Sequence, residues 1–273
     1  MSSFANKHIL ITGGAGGIGL QMARRITRKG AATLTLWDIN ADALEESYHE
    51  LNSYQTEIFT SVVDIAEAEQ IYSAAESLIK KGGPVDILIN NAGIIVGKSF
   101  EKQNRDEIEQ TIRINLLGAM HVCRALLPEM QNQQSGHIVN IASAAGLVPN
   151  PKMSVYAGSK WGMIGWSESL RVELDQQAAD IAVTTVEPSY INTGMFEGVT
   201  PPLLTPLLEP EDIADRIIHA VEKDKTHLRA PFMVRFIPLL KGILPQKVFD
   251  FLAGKLFMVY QSMDTFKGRT STE

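Results

Sequence analysis

Tyr156 and Lys160 stand four residues apart in the run Tyr156-Ala157-Gly158-Ser159-Lys160. On a helix, that spacing puts both side chains on one face. A free phenol titrates near ~10 and is a poor proton carrier at neutral pH; bringing it to about 7 requires roughly 4 kcal/mol of preferential stabilisation of the phenolate. A fixed ammonium close by in a partly dry site supplies much of that. The spacing therefore predicts a Tyr156 phenol held below its usual pKa by Lys160. The same two residues also describe a surface Tyr and a solvated Lys, so the surrounding elements decide between the readings.

Those elements alternate. His8 to Thr12 reads as a buried strand, followed by glycines and a helix from about Gly17 to Lys29. Strands are expected at Ala32–Trp37, Glu57–Val63, Val85–Ile89, His137–Ala142 and Ile181–Val186. Helices are expected near 41–51, 67–80, 105–131, 154–177 and 212–221. Continuous apolar strands alternating with amphipathic helices argue for an α/β fold, a parallel sheet covered on both faces. No linker, repeat or low-complexity tract divides the 273 residues, so residues 1–230 read as one domain and 231–273 as its C-terminal extension.

Composition narrows the function classes. The net charge of −6 gives no reason to expect nucleic acid as a partner. The single cysteine, Cys123, permits no intrachain disulfide and falls on an apolar helix face, so it reads as core. The six histidines form no metal-ligand spacing, and no metal site is expected. The first residues, Met1 to Lys7, lead straight into a strand with no apolar leader, which suits a cytoplasmic protein.

Thr12-Gly13-Gly14-Ala15-Gly16-Gly17-Ile18-Gly19 joins the first strand to the first helix. Glycines at that junction allow a tight turn and close approach of backbone to a pyrophosphate, while the helix N-terminus offers free N–H groups. Asp38, about twenty residues on, can take both ribose hydroxyls of NAD and would repel the 2′-phosphate of NADP; it could also cap the next helix. NAD is therefore favoured over NADP. Asp64 ends the third strand, where it could reach an adenine amino group or cap the helix that follows.

With these residues assembled, the chain resembles the short-chain dehydrogenase/reductase family over about residues 5 to 230. The resemblance rests on Thr12, Gly13, Gly17 and Gly19, on Asn90-Asn91-Ala92-Gly93 after the fourth strand, and on a tetrad of Asn115, Ser143, Tyr156 and Lys160. It implies a single Rossmann-type sheet of order 3-2-1-4-5-6-7. It also implies cofactor contacts from Gly13, Gly17, Ile18, Gly19, Asp38, Asp64, Asn90, Tyr156, Lys160 and Thr193. By the same resemblance, Tyr156 is the general acid/base, Lys160 serves both phenol and nicotinamide ribose, Ser143 donates to the substrate oxygen and Asn115 holds a water on a proton path. Read from the residues alone, Asn115 is equally a satisfied structural amide and Ser143 ordinary turn chemistry. Pro188-Ser189 departs from the family's common Pro-Gly, and Gly158 costs helix stability without removing a functional group.

The expected reaction interconverts an alcohol and its carbonyl with NAD(H). The alternatives are a 3-oxoacyl-carrier-protein reductase-like enzyme, against which Asp38 speaks, and a silent NAD-binding scaffold, against which the intact tetrad speaks. Trp37-Asp38-Ile39-Asn40 and the tail from Ser262 to Arg269 place the resemblance near retinol and 17β-hydroxysteroid dehydrogenases. That branch implies a lipophilic substrate, and the family a homodimer or homotetramer. The extension mixes apolar bulk with Arg229, Arg235, Lys241, Lys247 and Lys255 against one carboxylate, Asp250. This fits peripheral membrane contact, or short helices packed on the body or a second subunit. Residues 230–260 are further expected to close one side of an apolar substrate pocket, with Met195, Phe196 and the Pro-Leu loop 201–210 opposite.

Overall fold

A computed structural model describes residues 2–177 and 179–268. Seven parallel strands, β1 (His8–Thr12), β2 (Thr33–Asp38), β3 (Glu57–Val62), β4 (Ile87–Asn90), β5 (Ser135–Ile141), β6 (Asp180–Pro188) and β7 (His227–Ala230), form one sheet in the order β3-β2-β1-β4-β5-β6-β7. Helices α1 (Gly17–Arg28), α2 (Ala41–Leu51) and α7 (Pro210–Glu222) cover one face, and α3 (Ala68–Gly82), α5 (Ala119–Asn132) and α6 (Ser154–Gln176) cover the other. The strand alternation sorts the core. Ile9 and Ile11 of β1 join Met22, Ile26 and Ile217 on the first face, while Leu10 joins Ile71, Leu126 and Leu170 on the second. Cys123 is buried in that second layer, where burial pushes its thiol up to about 12.

The segment expected as one helix over 105–131 is α4 (Arg105–Ile112), a π-helical turn (Arg113–Gly118) and α5. The wider turn carries Asn115, and a Cβ at Gly118 would lie 2.5 Å from the Ile65 carbonyl oxygen. Apolar periodicity cannot reveal one inserted residue, so the sequence read straight through it. Strand β7 lacks any periodic signature and was expected only through the family resemblance. It is tied to β6 by Glu187, wholly buried, which accepts from His227 Nδ1 at 2.7 Å and from Arg229. Arg229 is therefore an internal partner and not one of the extension's surface cations.

The extension is a chain of short elements: a 3₁₀ turn (Phe232–Phe236), α8 (Ile237–Ile243), α9 (Gln246–Phe251), a π turn (Leu252–Leu256) and a second 3₁₀ turn (Val259–Gln261). Prolines 238 and 245 keep the helices brief. Phe249 and Ala253 pack on Val148, and the Lys241 ammonium lies 3.3 Å from the Trp161 ring centroid while donating to the Leu147 carbonyl at 3.2 Å. Among the described residues, no helix is long and apolar enough to cross a membrane.

Candidate active site

The strand order reverses between β1 and β4, and a cleft of about 510 Å³ opens there at the carboxyl ends of the strands. One end is the glycine loop. Gly13 and Gly17 have φ of +62° and +51°, a region that favours glycine. A Cβ at Gly13 would lie 2.9 Å from Ala92 Cα, and one at Gly19 would lie 2.1 Å from the Gly13 carbonyl oxygen. These two glycines thus serve the loop's own packing. Gly16 differs: a Cβ there would meet nothing within 4 Å. It precedes α1, whose first turn has no side-chain cap and no acidic residue. An open backbone at an uncapped helix N-terminus suits an anionic phosphate group.

Asn91 fixes the loop. Its Nδ2 donates to the Thr12 and Gly13 carbonyls at 3.0 and 2.8 Å, and Thr12 Oγ1 accepts from the N–H groups of Asn91 and Ala92. Asp38 stands at the end of β2 with one carboxylate oxygen accepting from Ala15 N and the other from Asn40 N, each at 3.1 Å. It is not the cap of α2; Asn40 is, accepting from Ala43 N. Asp38 lines the cleft, and each of its oxygens, accepting one hydrogen bond here, has capacity for another. Asp64 also lines the cleft and accepts from Ala66 N at 2.8 Å. Ile18 and Thr193 lie on the cleft wall, Thr193 facing Gly17. Asn90 does not: its Nδ2 donates to Asn140 Oδ1 inside the sheet, and Asn140 in turn donates to Ser167. The wall beyond β4 is made instead by residues 91 to 94.

At the other end, Ser143, Tyr156 and Lys160 converge on the same cleft. Ser143 Oγ accepts from Ala145 N at 3.1 Å and lies 3.4 Å from the Pro188 carbonyl. Lys160 Nζ donates to the Ile141 carbonyl at 2.7 Å and sits 5.8 Å from the Tyr156 ring centroid. Asn115, on the π turn, is fully buried: its Oδ1 accepts from Ile94 N, and its Nδ2 donates to the Ile94 carbonyl and to Ser159 Oγ. A Cβ on Gly93 would come within 3.2 Å of Asn115 Oδ1 and 3.7 Å of Lys160 Nζ, so that glycine leaves the two side chains facing one gap.

The electrostatics correct one expectation. Tyr156 is not held below its usual pKa. Burial pushes the phenol up to about 12, against which hydrogen bonding with Ser143 pulls only partly. Lys160 is itself lowered to about 8 by burial. Desolvation leads both shifts, and the Lys160 ammonium spends a hydrogen bond on the Ile141 carbonyl.

A second correction concerns the pocket wall. None of residues 230–260 lines the cleft; they pack on the outer side of α6 around Val148 and Trp161. Tyr156 packs instead in an apolar cluster with Phe196, which lines the cleft, and with Met153, Tyr190, Met263 and Phe266, the last two farther along the chain than expected. The signal missed in the sequence was Gly97: a Cβ there would overlap Phe266 at 2.1 Å.

A model of the short chain dehydrogenase family matches residues 7–203. The chain belongs to that family. Among curated proteins, this short-chain dehydrogenase is 35% identical to human short-chain dehydrogenase/reductase 3 over 99% of the chain and 89% of that protein. It is 36% identical to epidermal retinol dehydrogenase 2 of Mus musculus (97% and 86% covered) and 32% identical to human estradiol 17-beta-dehydrogenase 11 (97% and 88%). Among solved structures, a short-chain dehydrogenase/reductase from Burkholderia phymatum in complex with NAD superposes with a TM-score of 0.81 at 23% identity, covering 89% of this chain and 95% of that one. The likeness establishes the shared Rossmann-type fold.

Burying Lys160 has a measurable consequence. With its pKa lowered from 10.5 to about 8, the unfolded chain binds more protons than the folded one between those values, so this group makes stability rise with pH in that window. Tyr156, raised from 10.0 to about 12, acts in the opposite sense above pH 10. Lys160→Met is expected to be at least as stable as wild type at pH 7 and to lose that advantage as pH rises from 8 to 10. Urea denaturation at stepped pH checks this; a stability difference independent of pH would refute the burial argument.

Proposed function

We propose that this short-chain dehydrogenase interconverts a lipophilic alcohol and its carbonyl compound with NAD(H), Tyr156 acting as general acid/base. The observation that carries the reading is the convergence of Ser143, Tyr156 and Lys160 at the apolar-walled end of a cleft whose other end is an uncapped helix N-terminus beside Asp38. Glycines 13 to 19, Asp38, Asp64, Thr193 and Lys160 would hold the dinucleotide. When bound and oxidised, it supplies the hydride acceptor and a positive ring charge.

In this reading the substrate oxygen lies between Ser143 Oγ and the Tyr156 phenol. Ser143 donates to the developing carbonyl oxygen. Tyr156 takes the hydroxyl proton as hydride leaves the carbinol carbon, and returns it in the reverse direction. Burial pushes the phenol up to about 12, and added positive charge in the site would favour its ionised form. Lys160 can pass a proton toward the gap it shares with Asn115. The names of the retinol and estradiol relatives, together with the apolar surround of Tyr156, support a lipophilic substrate.

The extension supports peripheral contact with a membrane surface: Phe232, Leu239, Ile243 and Phe251 are exposed, with Arg235, Lys247 and Lys255 exposed among them. A homo-oligomer built on the long helices α5 and α6 belongs to the same reading; Trp161 and Val172 of α6 are exposed.

Three outcomes test these assignments. Tyr156→Phe is expected to lower turnover of any accepted alcohol by at least a thousandfold while NADH affinity, read by fluorescence titration, stays within about twofold; rates within tenfold of wild type would remove Tyr156 from the chemistry. Asp38→Ser is expected to move the ratio of kcat/KM for NAD over NADP toward NADP by at least tenfold, and a wild type already preferring NADP would overturn the role given to that carboxylate. Co-sedimentation with vesicles of anionic phospholipid is expected to fall on Phe232→Glu/Ile243→Glu. If binding persists and that pair instead changes the mass in sedimentation equilibrium, the face belongs to a subunit interface.

A further inference from the structure

Three polar side chains form a closed knot within the apolar surround of Tyr156. Asn150, from the loop before α6, donates through Nδ2 to Tyr190 Oη at 2.8 Å and to Ser262 Oγ at 2.9 Å. Tyr190, just beyond β6, and Ser262 are 2.7 Å apart, and Ser262 Oγ donates to the Val259 carbonyl at 2.7 Å. With the Ser262 proton committed to Val259, the Tyr190 proton goes to Ser262, and the donor sequence has one direction. All three residues are buried. Buried polar groups this deep cost stability unless paired, and Asn150 Oδ1 has no partner. An apolar trio would fill the space at less cost, so the knot needs another explanation.

Its position supplies one. Ser262 begins a strap, residues 262–266, that packs against the apolar cluster around Tyr156. Met263 and Phe266 pack beside Tyr156, and the Phe266 ring occupies the space left by Gly97. The strap is also laced to the loop opposite: Thr200 N donates to the Ser262 carbonyl at 3.0 Å, Lys267 N to the Glu197 carbonyl at 2.9 Å, and Thr265 Oγ1 to the Gly198 carbonyl at 2.6 Å. Phe196 from that loop stands edge-on to both Tyr190 and Tyr156, at centroid distances of 5.1 and 6.3 Å. One rigid assembly thus runs from the strap through Tyr190 and Phe196 to the phenol.

We propose that the strap is the specificity-determining wall of the substrate pocket, with Phe266 limiting substrate size and Asn150, Tyr190 and Ser262 acting as positioning residues that hold it. Hydrogen bonds fix the wall in one place where apolar packing alone would let it slide. A small alcohol reaches Ser143 and Tyr156 without touching Phe266; a bulky one meets the ring. The proposal rests on the alcohol–carbonyl reading of the site.

The experiment uses the full chain and two readouts. First, kcat and KM are measured for a series of secondary alcohols of increasing bulk. Phe266→Ala is expected to raise the bulky-to-small ratio of kcat/KM by about tenfold, in line with what a few methylenes contribute in a pocket. Ser262→Ala and Tyr190→Phe should shift the ratio in the same direction, through KM more than kcat. An unchanged ratio in Phe266→Ala, or equal loss of kcat on every alcohol in the knot variants, overturns the proposal. Second, amide hydrogen exchange is followed over 196–205 and 262–266. Ser262→Ala and Tyr190→Phe are expected to speed exchange there at least tenfold while the sheet is unaffected; unchanged exchange overturns the positioning role. This readout needs no turnover. Faster exchange in a chain that oxidises none of the alcohols would sink the reaction assignment and leave the knot's hold on the strap standing.

Discussion

All seven strands run the same way, so every carboxyl end falls on one edge of the sheet. That constraint organises everything chemical in the molecule. The glycine loop leaves β1 there, Asp38 closes β2, Asn91 follows β4, Ser143 follows β5 and Tyr190 follows β6. Residues separated by more than a hundred positions become neighbours because each stands at the end of its own strand. The reversal of winding between β1 and β4 spreads two loops apart and makes the cleft. Thr193, Met195 and Phe196 reach the cleft from the long loop between β6 and α7, and extra hydrogen bonds tie that loop to the strap.

The burial that organises the site also sets its electrostatics. Tyr156 and Lys160 share a helix face, yet both are shifted toward their neutral forms, the phenol up to about 12 and the amine down to about 8. A dry pocket strengthens attraction between charges but penalises each charge more. Lys160 is steadied by the Ile141 carbonyl, which localises its proton without neutralising it.

How legible this was in the sequence depended on the kind of interaction. Continuous apolar runs revealed a sheet covered on both faces, because Ile9, Leu10 and Ile11 must face opposite covers. Motif spacing placed Ser143, Tyr156 and Lys160 together, since a strand end and one helix face leave little freedom. Asn90 and Asn91 differ in a way the motif does not show: the Asn90 amide bonds Asn140 on the neighbouring strand, while residues 91 to 94 make the wall. The π turn at Asn115 and the strap at Met263 and Phe266 left no periodic trace. Both depend on tertiary contacts, with Ile94 and with Gly97, that no local pattern encodes. The extension's aromatic content suggested a pocket wall, but prolines 238 and 245 break it into short pieces that sit outside α6.

The strap adds a matter of timing. Every residue that lines the cleft lies between Gly13 and Phe196, whereas the apolar cluster around Tyr156 is completed only by Met263 and Phe266. On a growing chain, the lining of the cleft is therefore made well before the last side chains that pack beside Tyr156. A nascent molecule can hold the sheet and its cleft while that packing is still open on one side.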